Sequence, residues 1–259
     1  MKYFQKGSGE YLVLVHGALT DCSMWFPHLK QLEVYFDVIA VTLSHFEKTE
    51  DCNFGLNSHA EELAELVKKL GSDKPMNIVG WSYGADVVLN MLAKEALSVS
   101  NVFLYEPGYP GCIQEKDMNA WVADAKSMFG QVVEHVKQGN LDLAVESLID
   151  GSGNSQGYFE TQREEVRRLQ LAKAYTLPLQ LNQQEHPSIN ALNVSKIKAP
   201  LVFGYGEKSR DLFRLATLSG AGSSKLSTLI TVENETHMLP QENPEKFGGL
   251  IIDLFGQKG

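Results

Sequence analysis

Along the chain, short unbroken apolar runs alternate with longer stretches in which apolar residues recur every three or four positions. The first kind reads as strands buried on both faces of a parallel sheet, the second as amphipathic helices. Tyr11 to Val15 is the first run, ending at His16-Gly17, and Asp37 to Leu43 is the second, with a helix expected over 24–35 between them. Ser58-His59-Ala60-Glu61 reads as a capping box, followed by Leu63, Leu66, Val67 and Leu70 at helical spacing and a stop at Gly71. A strand over Met76 to Val79, a helix over 85–96 and a strand over Asn101 to Tyr105 continue the alternation. Such a pattern predicts an α/β fold, a mostly parallel, doubly wound sheet whose ligands sit beyond the carboxyl ends of its strands.

From Pro107 to Lys198 the strand signals stop. Met118, Trp121, Val122, Ala125, Met128, Phe129, Val132, Val133 and Val136 fall at helical spacing, and further helices are expected over 141–149 and 158–174. Strands resume at 199–204 and 227–232, and Asn243-Pro244 opens a helix running through Phe255. The expected organisation is a core domain made of residues 1–106 and 199–259, interrupted by a helical cap over 107–198.

The run at 76–79 delivers Gly80-Trp81-Ser82-Tyr83-Gly84, a serine between two glycines at a turn from strand to helix. A sharp turn of this kind exposes the hydroxyl, and the glycines remove the Cβ atoms that would block close approach of neighbouring backbone. Ser82 is therefore the candidate nucleophile. A serine hydroxyl needs a general base at neutral pH, and histidine suits that role. His237, in a polar loop directly after the last expected strand, lies at the same sheet edge. An oxyanion formed on attack needs backbone N–H donors. Tyr83, following the serine, supplies one, and Ala18, after the His16-Gly17 turn, supplies the other.

These motifs, in this order and over nearly the whole chain, resemble the α/β-hydrolase fold with a helical cap. In that family the acid most often follows the next-to-last strand in a Gly-x-x-Asp pattern. Here the segment is Gly206-Glu207-Lys208-Ser209, with serine in the aspartate's place and Asp211 two residues beyond. Glu106, ending the strand after the nucleophile helix, is the alternative acid. Its placement is similar to that in haloalkane dehalogenases and zearalenone-type lactone hydrolases, and a serine nucleophile argues against dehalogenase or epoxide hydrolase chemistry. A carboxylate at a buried strand end needs a partner, which an imidazolium at His237 would be, so Glu106 is preferred to Asp211.

The resemblance implies a cofactor-free, metal-free serine hydrolase acting on a carboxylic ester or lactone. Carbon–carbon bond hydrolysis, perhydrolysis and non-catalytic ligand binding on the same fold are the alternatives. Trp121, Met128 and Phe129 on the first cap helix would line a pocket for a hydrophobic or aromatic acyl group. Composition narrows the partners. A formal charge of −9 over 259 residues, without a basic stripe, disfavours nucleic acid and anionic membranes and leaves a small neutral or weakly charged ligand, with a homodimer left open. Cys22, Cys52 and Cys112 show no metal-binding spacing and leave an odd thiol, which fits a reducing compartment. No secretory leader is expected, and the expected location is cytoplasmic.

Overall fold

A computed structural model describes residues 1–47, 53–71 and 73–256; Cys52 lies outside them. The strands are β1 (Lys2–Gly7), β2 (Glu10–Val15), β3 (Phe36–Thr42), β4 (Met76–Trp81), β5 (Asn101–Tyr105), β6 (Leu201–Gly206) and β7 (Ser227–Val232). They form one sheet in the order β1-β3-β2-β4-β5-β6-β7, parallel throughout except for the antiparallel edge pair β1 and β3. Helices α1 (Phe26–Leu32), α2 (Leu56–Leu70) and α3 (Tyr83–Lys94) lie within the first half of this alternation. Between β5 and β6 come α4 (Glu115–Lys137), α5 (Leu141–Ser152), α6 (Tyr158–Thr161), α7 (Glu164–Ala172), α8 (Thr176–Leu181) and α9 (Ala191–Val194). The chain closes with α10 (Asp211–Gly222), α11 (Leu239–Glu242) and α12 (Pro244–Phe255).

Alternating strand residues build two apolar layers. Val13, Val15, Ile39, Ile78, Val102 and Leu104 pack with α2 and α3 on one face. Leu12, Leu14, Val38, Val79, Trp81 and Phe103 pack with α1 and α12 on the other, and this second layer runs on into Met128, Val132, Val145 and Leu148 of α4 and α5. Burial on both faces is why these strands read as continuous apolar runs.

Several expectations need correction. The strand β1 gave no signal, because every one of its residues is exposed and its sequence is largely polar. The helix expected over 24–35 is a short 3₁₀ turn, Cys22–Trp25, followed by α1, with Pro27 seated in the first turn. The helix α2 begins at Leu56, so Ser58 is inside it; the Ser58 hydroxyl donates to Glu185 Oε1 at 2.7 Å instead of capping. The segment 158–174 breaks into α6 and α7 around Gln162. Within the expected helical segment α8 and α9 were not singled out, and α10 and α11 stand where no helix was expected.

The segment between β5 and β6 is tied to the rest of the chain by charged contacts. Arg210 grips Asp124 of α4 through two bonds of 2.8 and 2.7 Å and also donates to Gly151 O at 3.0 Å. The same Asp124 carboxylate accepts from Leu212 N–H at 2.8 Å. Lys173 pairs with Asp21 at 2.6 Å. No helix among the described residues is long and apolar enough to cross a membrane.

Candidate active site

Three side chains converge beyond the carboxyl ends of β4, β5 and β7. Ser82 joins β4 to α3 with φ 55° and ψ −124°. A positive φ on a residue with a side chain costs about 1–3 kcal/mol and persists only where the surroundings impose it. Here the imposition is steric. A Cβ on Gly80 would meet Ala85 Cα and Gly84 O at 2.7 Å, and one on Gly84 would overlap the carbonyl oxygens of Val15 and His16. The turn is also pinned by the Ser82 N–H, which donates to Tyr105 O at 3.0 Å.

The Ser82 hydroxyl lies 2.9 Å from His237 Nε2, and His237 Nδ1 lies 2.7 Å from Glu106 Oε2. A carboxylate accepts, so Nδ1 carries the ring proton and Nε2 is left to accept from the serine. Glu106 directly follows β5, is wholly buried and also has a positive φ, 52°. Its other oxygen, Oε1, accepts from Gly206 N–H at 2.7 Å and from the Ser209 hydroxyl. Both carboxylate oxygens therefore have donors, which offsets the cost of burying the charge. Asp211 is half exposed at the start of α10 and bonds Arg214 at 2.6 Å; the position facing His237 Nδ1 is taken by Glu106.

The remaining expected residues surround Ser82. Tyr83 is the first residue of α3, where a backbone N–H has no acceptor within its helix. The turn after β2 lies against the serine: a side chain on Gly17 would approach Ser82 Cβ to 3.2 Å. Ala18, Tyr83, Ser82 and His237 line a cavity of about 300 Å³ together with Trp121, Met128 and Phe129 of α4. No cluster of three or more His, Cys, Asp or Glu able to hold a metal ion occurs among the described residues.

A family model described as the alpha/beta hydrolase family matches residues 12–248. The chain belongs to that family. It is 26% identical over 252 residues to an (E)-2-((N-methylformamido)methylene)succinate hydrolase of Acinetobacter baylyi, covering 94% of this chain and 89% of the relative. Among solved structures it resembles the enol-lactonase of Burkholderia xenovorans LB400, with a TM-score of 0.74 at 15% identity over 99% and 96% of the two chains. It likewise resembles a thermophilic esterase of Thermogutta terrifontis, with a TM-score of 0.74 at 19% identity over 98% and 92%. Family membership and the curated relative support hydrolase activity; the two structures, at such low identity, speak to the fold.

Four features of this α/β hydrolase escaped sequence reasoning. Ser209 stands where the family's aspartate usually does, and its bond to Glu106 was foreshadowed only by that departure. Phe213 lies against the His237 ring, a contact made by tertiary packing alone. Asp86 lines the cavity one helical turn after Ser82; burial raises its pKa to about 7, against the opposing pull of its bonds from the N–H groups of Tyr109 and Gly108 at 3.1 Å. The Tyr83 hydroxyl donates to His59 Nδ1 at 2.8 Å, while His59 Nε2–H donates to Ser44 O at 3.1 Å. Burial lowers the His59 pKa to about 4 and keeps the ring neutral, as this bonding requires.

Proposed function

We propose that this chain is a serine hydrolase that cleaves a carboxylic ester or lactone with a hydrophobic or aromatic acyl part. The observation that carries the reading is the continuous relay from Ser82 Oγ through His237 to Glu106 at the floor of a mostly apolar cavity. His237 Nε2 takes the hydroxyl proton as Ser82 Oγ attacks the acyl carbon, and Glu106 holds the imidazole and stabilises its charged form. The N–H groups of Tyr83 and Ala18 receive the oxyanion. His237 then returns the proton to the leaving oxygen. Water, deprotonated by the same nitrogen, releases the acyl group and restores the serine.

The segment over 107–198 serves as the lid of this site. The relative from Acinetobacter baylyi is named for a succinate, whose two carboxylates would call for cations. No lysine or arginine is among the described residues lining this cavity, which favours an uncharged acyl part here. The reading is tested with a fluorophosphonate probe and p-nitrophenyl esters of graded chain length, aromatic lactones alongside. Labelling at Ser82, abolished in Ser82→Ala, is expected together with ester turnover. Folded protein that neither takes the label nor turns over any ester would instead be a ligand-binding member of the fold.

A further inference from the structure

Glu106 sits in a backbone turn whose two ends are both tied to the start of α3. Its φ of 52° is a conformation that a residue with a side chain adopts at a cost and keeps only where the surroundings impose it. Just before it, Tyr105 O accepts from Ser82 N–H at 3.0 Å. Just after it, beyond Pro107, the N–H groups of Gly108 and Tyr109 donate to Asp86 Oδ2 and Oδ1, each at 3.1 Å. Asp86 stands in the first turn of α3, and its own N–H donates to Ser82 O at 3.1 Å, so one turn of helix separates the two anchors.

The side chain at position 86 suits that task. A carboxylate offers two acceptor oxygens and no donor, which matches two successive N–H groups, whereas an amide would turn its NH₂ on one of them. Asp86 is buried, and a buried carboxylate is costly unless hydrogen-bonded. Here the bonds that offset the cost come from the loop carrying Glu106. Gly206 and Ser209 hold the Glu106 carboxylate itself, while Asp86 holds the main chain from which that side chain springs. Resting on the hydrolase reading above, we infer that Asp86 is a positioning residue: by gripping Gly108 and Tyr109 it sets the backbone turn at Glu106, and with it the aim of the Glu106 carboxylate at His237. A side chain that merely fastened this loop to α3 would matter to stability and leave the chemistry alone.

The test is a double-mutant cycle on p-nitrophenyl ester hydrolysis at about pH 8, where Asp86, its pKa raised to about 7, is ionised. Asp86→Asn should lower kcat about tenfold in the parent and less than about threefold in Glu106→Gln, because a misaimed acid matters only while the acid is present. An equal fall in both backgrounds, or no fall in the parent, overturns the inference. The loop can also be altered from its own side. Tyr109 has φ −72°, which proline adopts, so Tyr109→Pro removes that N–H with little strain. Its kcat should lie severalfold below that of Tyr109→Ala; equal values overturn the inference, and this pair decides should Asp86→Asn fail to fold. The proton on His237 Nδ1, 2.7 Å from Glu106, gives a readout that needs no turnover, a far-downfield NMR resonance. Its loss or upfield shift in Asp86→Asn, in a protein that hydrolyses no ester, would sink the hydrolase reading while upholding the positioning. A resonance that the variant leaves unmoved overturns the inference.

Discussion

The phenyl ring of Phe213 lies flat on the imidazole of His237, with centroids 3.6 Å apart and planes 5° from parallel. Trp81 borders the same imidazole at 5.6 Å, and its indole N–H donates to His237 O at 2.9 Å. The histidine is thus fixed by its backbone and by a ring as well as by Glu106. In the proposed mechanism His237 takes the serine proton, and its charge would then develop over the negative face of Phe213, a contact worth about 0.5–2 kcal/mol. Phe213→Leu should therefore lower kcat on p-nitrophenyl esters by about tenfold, with fluorophosphonate labelling of Ser82 slowed to match. A variant as fast as the parent would show that the stack only fills space.

Replacing Glu106 by glutamine keeps the shape and removes the charge that, in the proposed mechanism, stabilises the imidazolium. Loss of a triad acid costs up to about 10⁴ in kcat in enzymes of this kind. The same scale is expected for Glu106→Gln, whereas Asp211→Asn, at a half-exposed site bonded to Arg214, should stay within a few fold of the parent. Steady-state kinetics on one ester ranks the two, and the opposite order would return the acid role to Asp211.

Ser209→Ala removes one of the two donors to Glu106 Oε1 and leaves the Gly206 N–H. A hydrogen bond to a charged group contributes about 1.5–3 kcal/mol, so urea unfolding should register a loss of that order. A several-fold drop in kcat should accompany it as the carboxylate gains freedom to rotate away from His237. Threonine at this position, which keeps the hydroxyl, should recover most of both losses.

Stability should depend steeply on acid. Burial lowers the pKa values of His16, His28 and His59 to about 4 from an ordinary 6.5. Depressed values mean that the stabilisation is fully present above pH 6.5 and is lost as pH falls through about 4, at about 3 kcal/mol for each ring. For His16 the reason is visible: Nε2 accepts from Leu43 N–H at 3.1 Å, and a proton there would face another proton. Asp86 acts in the opposite sense. Its pKa, raised to about 7, contributes stability at low pH that disappears as pH rises through neutrality. Three histidines outweigh one aspartate, so Tm measured by circular dichroism should fall markedly between pH 6.5 and 4.5. A flat profile over that interval would contradict the buried neutral rings.

What the sequence disclosed follows from how each feature is encoded. The strands β2 to β5 lie in the sheet interior, so apolar runs such as NVFLY marked them, and Gly80 and Gly84 announced the turn between them because close backbone contact leaves no alternative residue. The strand β1 has no buried face and left no such mark. The helix α10 begins just past the Gly206 to Ser209 segment, and its first turn is capped by Asp124, a residue far away in sequence. Ser82, Glu106 and His237 could be picked out because a strand end or a motif flags each of them. Phe213 could not, since its stack on His237 exists only once α10 is folded against the loop after β7.

The turn after β6 touches two distant parts of the molecule within a few residues. Ser209 holds the buried carboxylate of Glu106, and the next residue, Arg210, is clamped to Asp124 and to Gly151 O in the helices overhead. Lys208, on the other side, accepts from Asn154 through its carbonyl at 3.2 Å. The carboxylate sits at the end of β5 instead of on this turn, so the turn contacts both the acid and the helices between β5 and β6. One short turn thus anchors both the helices between β5 and β6, through Arg210, and the Glu106 carboxylate, through Ser209, so a single insertion there would disturb two contacts that lie far apart in sequence.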